Sequence, residues 1–297
     1  MVQEREPPGP DQAPLVEPEL GRLPTRELVR LMNDEDRVVP AAVAEANQAI
    51  AEAVDAVVDR LRAGGRLVYV GAGTSGGLAA LDASECEATF STPPGQVVAV
   101  VAGEGLQSPL GRAAAEDDAT AGERAVAALG VGRFDAIVGI SASGRTPFVV
   151  AAIRAAAAAH TVAVVCVPDS QLERIADQAI VVDVGPEFIA GSTRLKAGTA
   201  QKLVLNTIST ISMVRLGKTF GRLMVDVSPA NDKLRARTIE IVATATGAPR
   251  AVAEDALVRA DGDARVAIVS VLARIDPTSA RERLDAAGDD IAAAVGA

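Results

Sequence analysis

Short apolar runs recur through the middle of the chain, and helical patterns of polar and apolar residues separate them. Uniformly apolar runs of this length are typical of buried strands. Their alternation with helices is typical of a doubly wound parallel sheet. We therefore predict an α/β fold with a five-stranded doubly wound parallel sheet, whose strands lie at 67–70, 97–102, 136–140, 161–167 and 179–184.

Helical patterns fill the chain on either side of the predicted sheet. A short amphipathic helix is predicted over 25–33, and a longer one, opened by a proline, over 40–62. After the sheet, a long helix is predicted over 194–216, and from Ala230 onward only helical patterns remain. This order predicts a disordered N-terminus rich in Pro, Glu and Gln over 1–21, a helical arm over 22–56, a sheet domain over 57–220 and a small helical subdomain over 230–297.

The acidic composition limits the range of partners. The chain of 297 residues carries a formal net charge of -10, which argues against nucleic acid or an anionic membrane surface. No apolar stretch is long enough to span a bilayer, and the first residues lack the apolar region of a signal peptide. Cys86 and Cys166 lie in apolar contexts, which favours buried free thiols in a cytoplasmic protein. With one histidine, His160, and two separated cysteines, no zinc site is predicted.

Two loops of small and hydroxylated residues carry the candidate chemistry. They lie at 71–76 and 141–146, directly after the first and third predicted strands. Glycine lets a backbone approach a ligand closely, and the amides at the start of the following helix point toward an anion. Both loops lie at the carboxyl edge of the predicted sheet, where open α/β sheets bind ligands. We therefore predict a phosphate site, on a small sugar or nucleotide, with the candidate ligands Thr74, Ser75, Ser141, Ser143 and Thr146.

Each loop also has a simpler interpretation. Gly, Ser and Thr are common in ordinary connections between strands and helices, and their hydroxyls often cap a helix N-terminus. Neither loop has the glycine pattern of a dinucleotide fingerprint or the ending of a Walker loop. The presence of both loops in one sheet, rather than either loop alone, favours a ligand site.

Several stretches match the pattern of one protein family, most extensively the block GSTRLKAGTAQK at 191–202. The others lie at 33–36, 71–76, 81–86, 141–147 and 223–227. The chain resembles the sugar isomerase-type phosphosugar-binding proteins and, among them, the N-acetylmuramic acid 6-phosphate etherases. It departs from that pattern at Gly77, where arginine is usual, and at 87–88, where two prolines are usual.

The resemblance implies a reaction: removal of D-lactate from the C3 ether of N-acetylmuramic acid 6-phosphate, then addition of water to give N-acetylglucosamine 6-phosphate. In the open-chain sugar, the aldehyde acidifies the C2 proton. A base takes that proton, and an acid protonates the departing ether oxygen. Two carboxyl groups in different environments can share this work without a metal or cofactor. The family's pair corresponds to Glu85, as the acid that also delivers water, and to Glu116, as the base at C2.

Both glutamates have alternative interpretations. Glu85 also fits a carboxylate on the solvated end of a helix, although its small and apolar neighbours favour partial burial. Glu116 also fits a surface acidic cluster, because Asp117 and Asp118 follow it.

Basic residues and quaternary structure follow from the same resemblance. Arg194, Lys196 and Lys202 are candidate contacts of the lactyl carboxylate or the phosphate, or else solvated helix residues. Relatives of this kind complete the site across a two-fold interface, and the helix after Arg194 has more apolar residues than one buried face requires, so we predict a homodimer.

The alternative functions are a non-catalytic phosphosugar-binding regulator similar to glucokinase regulatory protein, and a phosphosugar isomerase.

Overall fold

The computed structural model describes residues 20–106, 108–226 and 232–296. Within these residues the chain divides into two compact units. The first comprises 20–83 and 95–208, and the second comprises 84–94 and the described part of 209–297. Most of the N-terminal stretch predicted to be disordered, 1–19, lies outside the described residues, and the predicted domain boundaries remain predictions.

The first unit is built on one parallel sheet. Its strands are β1 (Leu67–Gly71), β2 (Val97–Val101), β3 (Ala136–Ile140), β4 (His160–Val165) and β5 (Gln178–Val181). They pair in the order β2-β1-β3-β4-β5, and every pair is parallel. Every residue of β1 and β3 is buried, as expected for central strands covered by helices on both faces. The predicted fold class is confirmed.

Helices precede, separate and follow these strands. They begin after a 3-10 turn at Leu20–Arg22 and comprise α1 (Thr25–Asp36), α2 (Val38–Glu45), α3 (Asn47–Arg62), α4 (Gly73–Phe90), α5 (Pro109–Ala115), α6 (Ala119–Leu129), α7 (Pro147–Ala155), α8 (Gln171–Ile175) and α9 (Lys196–Arg215). The chain passes into the second unit within α4 and again within α9.

Two predicted helix boundaries were wrong. The single helix predicted over 40–62 is divided at Ala46, whose backbone leaves the helical region, and Pro40 lies in the first turn of α2. A proline is tolerated there because the amides of a first turn have no partner within the helix. The helix predicted from Arg194 begins at Lys196, because the carboxylate of Glu187 accepts hydrogen bonds from the first two amides of α9.

The described part of the second unit is helical apart from one small hairpin that the sequence analysis did not predict. The hairpin pairs β6 (Thr219–Phe220) with β7 (Leu223–Met224), and the helices that follow are α10 (Asp232–Thr246), α11 (Arg250–Arg259), α12 (Ala264–Ala273), α13 (Pro277–Ala286) and α14 (Ile291–Val295). Asp263, Asp276 and Asp290 cap the last three helices by accepting hydrogen bonds from first-turn amides. No helix in the described part of the chain is long and apolar enough to cross a bilayer.

Candidate active site

A polar cavity of about 380 Å³ opens at the carboxyl edge of the sheet in the first unit. It lies where the connections that leave β1 and β3 diverge to opposite sides of the sheet, which is the usual ligand position in open α/β sheets. Both α4 and α7 begin there, so their positive dipole ends favour an anion. The lining residues are Ala72, Gly73, Thr74, Ser75, Glu116, Ile140, Ser141, Ala142, Ser143, Thr146, Ser192, Thr193 and Arg194.

The loop after β1 brings a hydroxyl and a carboxylate together. Gly73 has a φ of +52°, and a Cβ atom on it would lie 2.7 Å from Oε1 of Glu116. A side chain at this position would displace the carboxylate, and the positive φ itself favours glycine. Ser75 is half-buried in the next turn, and its Oγ donates a hydrogen bond of 2.8 Å to Oε1 of Gln201.

The loop after β3 is fixed by its own hydroxyls. The Oγ of Ser141 lies 2.8 Å from Oγ1 of Thr146 and accepts a hydrogen bond of 3.1 Å from the Gly144 amide. Gly144 has a φ of +62°, and a Cβ atom on it would lie 2.3 Å from Oγ of Ser170. Thr146 occupies the N-cap position of α7, but its side chain makes no capping bond. Helix capping therefore does not explain why a residue with a hydroxyl occupies this position.

Glu116 reaches the cavity from the C-terminal end of α5. Its backbone oxygen accepts a hydrogen bond of 3.1 Å from the Phe148 amide, which ties this residue to α7. Its side chain is half-buried, and this burial, with a smaller contribution from the charge of Asp117, raises the pKa of the Glu116 carboxyl. Asp118 instead caps α6 by accepting a hydrogen bond from Ala121. The three acidic residues 116–118 therefore have different environments and do not form a uniform surface cluster.

Glu85 does not line the cavity as the structure describes it. It lies in the part of α4 that belongs to the second unit, and its side chain is exposed. The buried positions of this helix segment recur every four residues, at Asp82, Cys86 and Phe90, and Glu85 falls outside that stripe. The expected partial burial of Glu85 was wrong for this reason, since small neighbours in sequence are not neighbours on the same helix face.

The basic candidates Arg194 and Lys196 lie in different environments. Arg194 lines the cavity and is exposed. Lys196 is not among the described lining residues, because its buried side chain extends to α1, where Nζ lies 3.0 Å from Oε2 of Glu35. Since the Glu187 carboxylate already occupies the start of α9, that helix end is not available to a substrate anion.

Sequence analysis missed three residues of this region. Ser192 and Thr193 line the cavity directly before Arg194, and their position within the 191–202 block was the signal that was overlooked. Gln201 lies in the same block, but its bond to Ser75 joins residues 126 positions apart. No local pattern reveals a contact of that range.

Comparison with known proteins identifies the family. The sequence model of the glucokinase regulatory protein N-terminal SIS domain matches residues 49–157, a segment that contains both hydroxyl loops. An N-acetylmuramic acid 6-phosphate etherase of Rubrobacter xylanophilus is 55% identical over 300 residues, covering 100% of this chain and 96% of the relative. A protein of the same name from Streptomyces avermitilis is 53% identical over 89% of this chain and 86% of the relative. A protein of the same name from Cutibacterium acnes is 51% identical over 93% of this chain and 92% of the relative. The chain belongs to the N-acetylmuramic acid 6-phosphate etherase family.

Proposed function

We propose that this protein is a carbon-oxygen lyase that cleaves the D-lactyl ether of N-acetylmuramic acid 6-phosphate, giving N-acetylglucosamine 6-phosphate and D-lactate. The observation that carries the proposal is the cavity itself, in which two hydroxyl-rich loops lie beside the half-buried carboxylate of Glu116 in a member of this family. The test is a lactate assay on the purified protein with N-acetylmuramic acid 6-phosphate as substrate.

The chemistry assigns one proton transfer to each glutamate. Glu116, as base, takes the C2 proton of the open-chain sugar, and burial makes its carboxylate a stronger base than an exposed glutamate. The C3–O bond then breaks, its electron pair leaves with the lactyl oxygen, and that oxygen takes a proton from Glu85. The resulting C2=C3 double bond is conjugated with the aldehyde. Water adds at C3, delivered by Glu85, and C2 regains a proton.

The phosphate is proposed to bind the hydroxyls of both loops. We expect Ser143→Ala to weaken the affinity for N-acetylglucosamine 6-phosphate, because a hydrogen bond to a charged group contributes about 1.5–3 kcal/mol. Isothermal titration calorimetry on the single variant measures this loss, and an unchanged melting temperature shows that the fold is intact. Unchanged affinity would assign the phosphate to another part of the cavity.

Arg194 is proposed to bind the lactyl carboxylate. We expect Arg194→Met to raise KM for N-acetylmuramic acid 6-phosphate by about 10-fold or more, the scale of a charge-assisted hydrogen bond. The Kd of N-acetylglucosamine 6-phosphate should not change, because this product lacks the carboxylate. Arg154→Met, which replaces an exposed arginine on α7, is the matched control. Equal losses for both ligands would assign Arg194 to the phosphate instead.

A homodimer is proposed from the family and from α9. Leu205 and Ile208 on this helix are buried, whereas Ile211 and Val214 are 42% and 41% exposed in the single chain. Pairing with a second copy would cover such side chains. Light scattering at micromolar concentration should give twice the chain mass of 30.2 kDa. A measured mass of 30.2 kDa would exclude the dimer.

The same assay distinguishes the lyase from two other functions. A non-catalytic phosphosugar regulator, whose N-terminal SIS domain is similar to residues 49–157 of this chain, would bind the phosphosugar without releasing lactate. A phosphosugar isomerase would also release no lactate. The carboxylate of Glu116 in the cavity favours the enzyme, because phosphate binding alone has no use for a negative charge there.

The proposed cellular site is the cytoplasm, with no nucleic-acid or membrane partner. Cys86 and Cys166 are buried and are not joined by a disulfide, in keeping with a reducing compartment. The net charge of -10 disfavours binding to nucleic acid or to an anionic membrane surface.

A further inference from the structure

A buried amide lies directly behind one of the cavity hydroxyls. Ser75 lines the cavity, and its Oγ donates a hydrogen bond of 2.8 Å to Oε1 of Gln201. Gln201 is only 1% exposed, and its Nε2 is buried without a hydrogen-bond partner among the described residues. A buried donor in this condition is uncommon in folded proteins and requires an explanation.

The direction of this bond matters for an anion. A serine hydroxyl has one proton, and here Ser75 uses it to donate a hydrogen bond to Gln201. Ser75 then offers only lone pairs to the cavity, whereas the phosphate group of a sugar needs donors. In this arrangement Ser75 does not donate to the anion.

A half-turn of the Gln201 amide reverses the direction without moving the backbone. The terminal torsion of glutamine is broad and roughly two-fold, so Nε2 and Oε1 can exchange positions. Nε2 then donates to Oγ of Ser75, and the Ser75 proton turns into the cavity. Each arrangement leaves one amide atom unpaired, so the ligand's need for a donor decides between them.

We propose that Gln201 is a positioning residue, whose buried amide reverses when a phosphate enters the cavity and converts Ser75 into a hydrogen-bond donor. This inference rests on the proposed function only for the identity of the anion, the phosphate of a phosphosugar. Gln201 itself acts through Ser75 and does not touch the ligand.

A double-mutant cycle tests the inference, with N-acetylglucosamine 6-phosphate as the probe and Kd measured by calorimetry. Gln201→Met removes the amide at similar volume, so no donor then directs the Ser75 proton toward the ligand, and binding should weaken by about 3- to 10-fold. In a Ser75→Ala background the same change should have no further effect, because Gln201 acts only through that hydroxyl. Gln48→Met, at an exposed glutamine of α3, is the matched control and should leave Kd unchanged.

Losses that add in the double variant, or an unchanged Kd in Gln201→Met, would overturn the inference. If Gln201→Met does not fold, the side-chain amide resonances of Gln201 in the unmodified protein provide the test, assigned from their correlation with its backbone resonances. They should shift on titration with the phosphosugar and not shift in Ser75→Ala, and an absence of shift in the unmodified protein would contradict the reversal. Phosphosugar binding without lactate release would remove the proposed lyase function and leave this inference intact. Additive losses in a protein that releases lactate would remove the inference alone.

Discussion

Glu116→Gln is expected to lower the rate of lactate release from N-acetylmuramic acid 6-phosphate by at least ~10²-fold, which is the usual scale for a positioned base. The amide retains the size and position of the side chain beside Gly73 but cannot take the C2 proton. Turnover in heavy water places deuterium at C2 of the product when this proton is exchanged. The variant should therefore lose deuterium incorporation together with lactate release, as measured by mass spectrometry and a lactate assay.

Asp117→Asn is the matched control for Glu116→Gln. Asp117 is exposed and does not line the cavity among the described residues, so the variant should release lactate at a rate close to that of the unmodified protein. It should nevertheless change the pH profile. The base works only when ionised, so kcat/KM falls as the pH falls through the pKa of Glu116, which burial and then the Asp117 charge raise. Removal of that charge lowers the pKa and moves the acidic limb to lower pH. An acidic limb that stays in place would show that another group controls it.

The architecture of the sheet was predictable because its strands are continuous apolar runs. Each of the five observed strands overlaps a predicted run, and β3 matches at both ends. The largest difference is at β5, an edge strand that pairs only with β4 and ends at Val181 rather than at 184. A strand end at a sheet edge depends on where its one partner ends, and the apolar pattern does not encode that.

The two hydroxyl loops were predictable for a related reason. Parallel strands place the loops that follow them on one edge of the sheet, so Ser75 and Ser143 were expected to face a common space. Gly73 and Gly144 both adopt positive φ, and both have side-chain atoms where a Cβ would lie. This explains why glycine occurs at these two positions of the loops.

Contacts between distant residues were not predictable. The side chain of Lys196 pairs with Glu35, a residue 161 positions away, and its amide bonds to Glu187. From the sequence alone, Lys196 is simply a cation in a block that matches a phosphosugar-binding family. Its side chain pairs with α1 instead of lining the cavity, and no local propensity predicts that pairing.

Glu85→Gln is expected to lower lactate release by at least ~10²-fold while leaving exchange of the C2 proton in place. The acid acts on the ether oxygen after or during removal of the C2 proton, so its loss blocks the departure of lactate but not the action of Glu116. Deuterium should therefore still enter C2 of the substrate or the product. Glu87→Gln, at an exposed glutamate of the same helix, is the matched control and should retain activity.

The pattern of losses in the two glutamate variants decides their assignment. Exchange that survives in Glu116→Gln and disappears in Glu85→Gln would reverse the two roles. A Glu85→Gln variant that retains full lactate release would show that this carboxyl has no part in the reaction. Full activity in both variants would remove the proposed mechanism altogether.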